Sequence, residues 1–203
     1  MTRVNLKCLP TLLALGLLLA GCAAKAPALH LVTLPAAPTS TSAQAPDGLA
    51  LTVRRVALPE YLQSRELRFR DGAAGIVSWP GGVWAERVEV GATRELAVAL
   101  RRTLPSALIC ESGCAEAAAL RRVLAVDVVK LDIDRAARRL DGEVRWTLID
   151  PRSVQALPPH GVVTRGVTLD DDSPEGAARA LSALLGATAD EAATAIAATG
   201  LQR

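Results

Sequence analysis

Aromatic side chains are nearly missing from this 203-residue chain, where three Trp, one Tyr and one Phe make up 2% of the residues. So thin a supply excludes the stacking platforms that single-stranded nucleic-acid binders place under successive bases. Histidine is as scarce, occurring only as His30 and His160. The common catalytic signatures are absent too: there is no Gly-x-Ser-x-Gly elbow, no His-Glu-x-x-His and no phosphate-cradling Gly-rich loop followed by Lys-Ser or Lys-Thr. Lysine appears at Lys7, Lys25 and Lys130 alone. No apolar run reaches the roughly 20 residues of a spanning helix, and no internal repeat is visible. A carboxylate dyad leaves no motif, but nothing in the chain points to one. These absences lead to the expectation that the protein is not an enzyme, with a hydrolase built around His160 as the remaining catalytic alternative.

The N-terminus is distinctive. Arg3 and Lys7 form a short basic head, Leu9 to Ala20 is almost entirely Leu, Ala and Gly, and Leu19-Ala20-Gly21-Cys22 closes the stretch. A basic head, a short apolar run and small residues before a cut describe a secretory signal. Leu-Ala-Gly-Cys resembles the lipobox read by lipoprotein signal peptidase. That resemblance implies a diacylglycerol on the Cys22 thiol, cleavage before Cys22 and an acylated new N-terminus; an ordinary secretory signal with an incidental Cys is the alternative. No cofactor is expected beyond this covalent lipid. Two or three acyl chains hold a protein stably at a membrane without help from its surface. Ala23 follows the lipidated residue where Asp would signal inner-membrane retention, which by resemblance to the enterobacterial sorting signal favours the outer membrane.

Charge agrees with this division. The formal net charge of +2 is carried by Arg3 and Lys7, ahead of the cut and with no acid beside them, so the 182 residues from Cys22 onward are neutral. A neutral chain argues against a polyanionic partner such as nucleic acid, and 182 residues is a one-domain length with a real core.

Of the four Cys, Cys8 leaves with the signal and Cys22 carries lipid, which leaves Cys110 and Cys114 with Glu-Ser-Gly between them. In an oxidising periplasm two such thiols usually pair, and closing so short a loop is worth roughly 2 kcal/mol. A redox or metal site is the alternative, although redox sites favour two intervening residues and no His or further Cys is near to complete a metal shell.

Patterning along the chain predicts alternating strands and helices. Residues 22–28 read as a lipidated tether and 29–203 as one domain. Within it Leu29–Leu34 is a candidate strand, and 35–48, rich in Pro, Ala, Ser and Thr, is expected to be a flexible loop. Leu49–Leu58 alternates as a strand ended by Pro59, Tyr61 and Leu62 form a short apolar turn, and Glu66–Arg70 pairs with Gly75–Trp79 through Asp71-Gly72 as a hairpin. Trp84, Val88, Ala92, Leu96, Leu100 and Leu104 recur every fourth residue and predict a helix stopped by Pro105. Ala107–Cys110, Val123–Ile133, Leu140–Asp150 and Val154–Leu169 read as strands, the last broken by Pro158-Pro159, with His160 in a loop. Asp170-Asp171-Asp172-Ser173-Pro174-Glu175 marks a helix start with a Ser cap, an early Pro and acids at the positive helix end. It runs to about Ala198 with Leu181, Leu184, Leu185, Ala192 and Ile196 inward. The three Asp are read as capping rather than as a cation site. The expected fold class is α+β, a single domain with one mixed, mostly antiparallel sheet packed by two long helices.

The candidate binding residues are aromatic. Trp146 lies inside an alternating strand and is expected in the core. Trp79 and Trp84 flank Pro80-Gly81-Gly82 and read equally well as core or as an exposed rim for a partner.

Leu58-Pro59-Glu60-Tyr61-Leu62, then a hairpin, then Trp84-Ala85-Glu86 ahead of a helix, resembles the auxiliary lipoproteins of ABC-type intermembrane transport, of which paraquat-inducible protein C is the best-known type. Arg139-Leu140-Asp141-Gly142 leading into Arg145-Trp146-Thr147-Leu148-Ile149-Asp150, and a closing Ala/Leu-rich helix, continue the similarity over essentially the whole chain after Cys22. The resemblance implies a non-enzymatic outer-membrane lipoprotein facing the periplasm that docks a lipid-conducting MCE-domain protein of an ABC-type transporter. Pro59, Tyr61, Leu62, Trp84, Arg145 and Trp146 carry the pattern, and Pro59, Tyr61, Leu62, Trp79 and Trp84 are the candidate partner-binding residues. Self-association is left open, and an assembly or plug lipoprotein of another outer-membrane machine is the alternative function.

Overall fold

Alternation of buried and exposed side chains along the longest strands decides where the core lies. The computed structural model describes residues 29–111, 120–153 and 155–199. Its strands are β1 (His30–Val32), β2 (Leu49–Val53), β3 (Glu66–Asp71), β4 (Gly75–Trp84), β5 (Leu108–Cys110), β6 (Leu120–Asp134), β7 (Arg139–Ile149) and β8 (Ala156–Thr168). Among the described residues the helices are α1 (Val88–Thr103) and α2 (Pro174–Ala198), with a 3-10 turn at Glu60–Leu62. In β7, Leu140, Val144, Trp146 and Leu148 are buried while Arg139 and Arg145 face solvent, the period-two pattern of a sheet with one covered face. Both helices cover that face.

The expected α+β domain with two long helices forms, but its strands divide into two sheets. A five-stranded sheet has the order β5-β2-β6-β7-β8, and a three-stranded sheet has the order β1-β4-β3. β2 runs parallel to both β5 and β6, whereas β6, β7 and β8 form a long antiparallel meander. In the smaller sheet β1 lies parallel to β4 and β3 antiparallel to it.

The apolar pattern of β6 changes phase midway, for a local reason. Leu124, Val126 and Val128 are buried, then Leu131 and Ile133, while Val129 and Lys130 are exposed. The register with β7 shifts between Val128 and Lys130, so a bulge absorbs one residue and returns the inward set to the core.

α1 begins later than the fourfold stripe predicts. Trp84 belongs to β4, which continues through Pro80-Gly81-Gly82 because Gly82, Val83 and Trp84 pair with His30, Leu31 and Val32 of β1. The helical period still holds from Val88 to Leu100, and all of that stripe is buried. α2 begins as expected: the Ser173 hydroxyl accepts from the Gly176 amide at 3.0 Å and Pro174 occupies the first turn. Its inward Leu181, Leu184, Leu185, Ala192 and Ile196 are buried, each Leu or Ile contributing about 1.5–3 kcal/mol. Leu184 presses so closely on β7 that a Cβ at Gly142 would sit 2.3 Å from its methyl group. His160, expected in a loop, lies in β8 opposite Thr147.

Residues 35–48, expected as a flexible loop, are instead laid across both helices as a strap. The Ser40 amide, the Ser40 hydroxyl and the Thr41 amide donate to the Asp190 carboxylate of α2 at 2.9, 2.7 and 3.1 Å. Ser182 donates to the Pro35 carbonyl at 2.8 Å, Arg102 of α1 to the Ala37 carbonyl at 3.1 Å, and the Ala43 amide to the Thr103 carbonyl at 2.7 Å. Its own Ala37 and Ala45 are buried. Gly186 makes the approach feasible, since a Cβ there would lie 1.8 Å from the Pro38 carbonyl oxygen. Composition misleads here because small side chains bury little area themselves but let the backbone come close to helix donors and acceptors.

Candidate docking surface

The turn carrying Pro59, Tyr61 and Leu62 joins the two sheets. After β2 the chain keeps bonding to β6: the Arg54 and Ala57 amides donate to the Leu124 and Val126 carbonyls at 2.9 Å each, and the Val128 amide donates to the Ala57 carbonyl at 2.9 Å. Pro59 precedes this 3-10 turn at φ −54°, its fixed φ suiting the entry to a helical turn. The Leu62 amide then donates to the Pro59 carbonyl at 2.9 Å. The Gln63 amide group closes the turn from below, donating to the Leu58 carbonyl at 2.9 Å.

The Tyr61 hydroxyl sits 3.4 Å from both the carbonyl and the amide of Leu131, directly after the β6 bulge, and Arg68 of β3 donates to the Tyr61 carbonyl at 2.9 Å. Pro59, Tyr61 and Leu62 are each half-buried, so the turn is both a brace between the sheets and a surface. Behind it a cavity of about 20 Å³ is lined by Leu58, Leu62, Trp84, Leu131 and Leu181.

The two Trp read as either rim or core lie inside. Trp79 is 6% and Trp84 7% exposed, so neither presents a ring face to a partner, which corrects their place among the candidate contact residues. Trp84 is held by its pairing with Val32 of β1 and lines the small cavity together with Val88 of α1. Trp79 packs edge-on against Phe69 of β3 with ring centroids 5.6 Å apart. Over both rings lies Arg135, from the turn between β6 and β7, with its guanidinium carbon 4.3 Å from the Trp79 centroid and 4.9 Å from that of Phe69. Stacking a cation on two ring faces favours the charged form where it is partly shielded from water. Arg135 also forks onto Asp172, ahead of α2, with two 2.7 Å bonds. These bonds, and then the guanidinium charge, hold the Asp172 carboxyl below the usual aspartate range. Sequence reading missed this cluster. Its one signal was an Arg in a tight turn, which is common on any surface.

The remaining charges serve structure. Arg179 reaches Asp170 and Asp171 at 3.0 and 2.7 Å, and the Asp171 carboxyl is lowered first by its bond from Ser173 and then by Arg179. Together with Arg135, these contacts give each of the three Asp before α2 a cationic partner. Arg70 of β3 meets Asp132 of β6 at 2.5 Å and ties one sheet to the other. Glu86, ahead of α1, is lowered by hydrogen bonds from Arg94. His30 lies 2.9 Å from Glu175, far from His160 on β8. Among the described residues no group of three His, Cys, Asp or Glu is placed to hold a metal, and no helix is long and apolar enough to cross a membrane. Trp146 is 1% exposed, as expected for a core residue, and its indole N–H donates to Glu191 of α2 at 3.1 Å. Arg145, on the opposite face of β7, is exposed beside Glu143. Cys110 closes β5; Cys22 and Cys114 lie outside the described residues.

A single α+β domain with a half-buried, sheet-bridging turn is the class that fold and surface define. The profile of the ABC-type transport auxiliary lipoprotein component family matches residues 32–193, and the chain belongs to that family. Among solved structures, an uncharacterized protein shares the fold with a TM-score of 0.67 at 15% identity, over 82% of this chain and 97% of its own. Protein XCC0632 from Xanthomonas campestris is similar with a TM-score of 0.64 at 15% identity, over 83% of this chain and 96% of its own. No curated protein sequence matches the chain.

Proposed function

We propose that the protein is a non-enzymatic outer-membrane lipoprotein, anchored through lipid on Cys22, that faces the periplasm and docks a lipid-conducting MCE-domain protein of an ABC-type transporter. The family match over 32–193 carries this reading, because it covers β2 to β8, α1, most of α2 and the 59–62 turn. Leu-Ala-Gly-Cys before residue 23 supports the anchor, and Ala23 supports the outer membrane. Half-exposed Pro59, Tyr61 and Leu62 form the docking candidate, with Trp84 supporting them from behind the small cavity.

The test is co-purification of the full-length protein from envelope membranes with an MCE-domain protein. Tyr61→Ala should weaken capture, whereas Tyr61→Phe, which keeps the ring, should retain most of it. Failure to associate sinks the proposed partner. Association indifferent to residues 59–62 sinks the surface alone.

A further inference from the structure

Large apolar side chains exposed one at a time are ordinary on a soluble surface, but Leu31 of β1 and Leu29 just ahead of it are two that face the same way. Leu29 is 72% and Leu31 61% exposed, and residues two apart on an extended segment share a face. Val83, paired with Leu31 in β4, is half-buried beside them. Of the other exposed large apolar residues of the described chain, Leu108 of β5, Val129 of β6 and Val162 of β8 belong to the five-stranded sheet, while Val77 lies at the hairpin end of β4, paired with Phe69 and away from the positions that meet β1.

Chain length says what meets the β1 pair. Leu29 is seven positions after Cys22, and a fully extended chain spans at most about 3.6 Å per residue, so the acylated residue lies within about 25 Å of Leu29. Nearby acidic charge is partly offset. β1 starts beside the start of α2, where His30 faces Glu175 at 2.9 Å, Asp170 and Asp171 are paired with Arg179, and Asp172 with Arg135. Arg179 and Arg135 thus offset part of the charge of the four acids at the start of α2, which reduces their repulsion of anionic headgroups.

We infer that the β1 face seats on the lipid bilayer, with Leu29 and Leu31 entering the headgroup region next to the acylated Cys22. This rests on the lipoprotein reading above and extends it, since it fixes which side of the domain faces the membrane. A short lipidated tether brings the face to the surface, and the two Leu add buried apolar area to the acyl chains.

The test places the photo-reactive residue p-benzoylphenylalanine at Leu29, Leu31, Leu108 or Val162 of the full-length protein. Each variant is purified lipidated, reconstituted into phosphatidylethanolamine/phosphatidylglycerol vesicles and illuminated. Mass spectrometry should find phospholipid adducts at 29 and 31 and none at 108 or 162. An acylated Cys22 peptide without lipid adducts at 31, or with equal adducts at 162, overturns this inference and leaves the anchor intact. An unacylated Cys22 peptide overturns the anchor reading and takes the inference with it. Adducts at 31 to a protein in intact envelopes, in place of lipid, also overturn it.

Discussion

Arg135 forms two parallel hydrogen bonds, both 2.7 Å, to the Asp172 carboxylate, so the β6–β7 turn is fastened to the segment that starts α2. The same guanidinium lies over Trp79 and Phe69 of the smaller sheet. One side chain thereby joins the β6–β7 turn, the segment ahead of α2 and the smaller sheet.

Arg135→Ala should therefore cost more than an average surface change, about 1–2 kcal/mol from two cation–ring contacts and one fork. The urea midpoint should fall, and the emission of Trp79 should shift red as its ring meets water. Arg135→Lys keeps the charge but not the planar fork and should recover only part of the loss.

The same contact predicts a pH response of definite sign. Asp172 has a lowered folded-state pKa, so its contribution is present above the ordinary aspartate value of about 4. It is lost as pH falls through the lower folded value. Tryptophan emission followed from about pH 7 to about pH 3 should change in wild type and much less in Asp172→Asn. The change should shrink at high salt, because both groups reach solvent. An acid transition identical in the two proteins would remove Asp172 from the explanation.

Gly186→Ala tests the strap. Helix propensity alone favours Ala by about 1 kcal/mol, yet the new Cβ would collide with the Pro38 carbonyl. We expect net destabilisation of about 1–3 kcal/mol, as for other overpacked sites, with faster proteolysis between residues 35 and 48. Stabilisation by Ala would show that the strap does not lie on α2.

Trp146→Phe removes the indole N–H that Glu191 accepts while keeping a ring in the core. A cost of about 1–2 kcal/mol follows for a bond to a charged but solvent-reachable acceptor, equivalent to a few degrees in Tm for a domain of this size. Glu191→Gln, which still accepts, should cost less.

Cys110→Ser and Cys114→Ser should each lower stability by about 2 kcal/mol if the two thiols pair, and the double variant should cost no more than either single one. Alkylation followed by mass spectrometry should label neither Cys in the wild type until a reductant is added.

Legibility in the sequence followed the strength of local period. α2 was readable because its cap, early Pro and inward Leu set all agree, and β7 because eleven residues alternate without a break. Trp84 was assigned to the wrong element because its spacing suits α1, while its backbone is claimed by β1, some fifty residues earlier in the chain. The strap was unreadable for a related reason: its order comes from donors and acceptors on two helices, and low apolar content says nothing of them. The turn at 59–62 was visible through Pro59, but its function as a brace depends on where the β6 bulge puts Leu131. Trp79 depended on Arg135, more than fifty residues away and without any pattern linking the two.

The parallel pairing of β1 with β4 also fixes how the domain carries load. Tension in the chain ahead of His30 enters through three ladder positions and the buried Val32 and Leu34, then through the strap bonds to Asp190 and Thr103. These contacts would be tested in sequence, edge strand first and helix cover next, before the meander of β6, β7 and β8 felt any pull. Mechanical failure would begin at the side nearest the tether and leave the central sheet standing, so a stretched molecule could re-seat its first strand without refolding the rest.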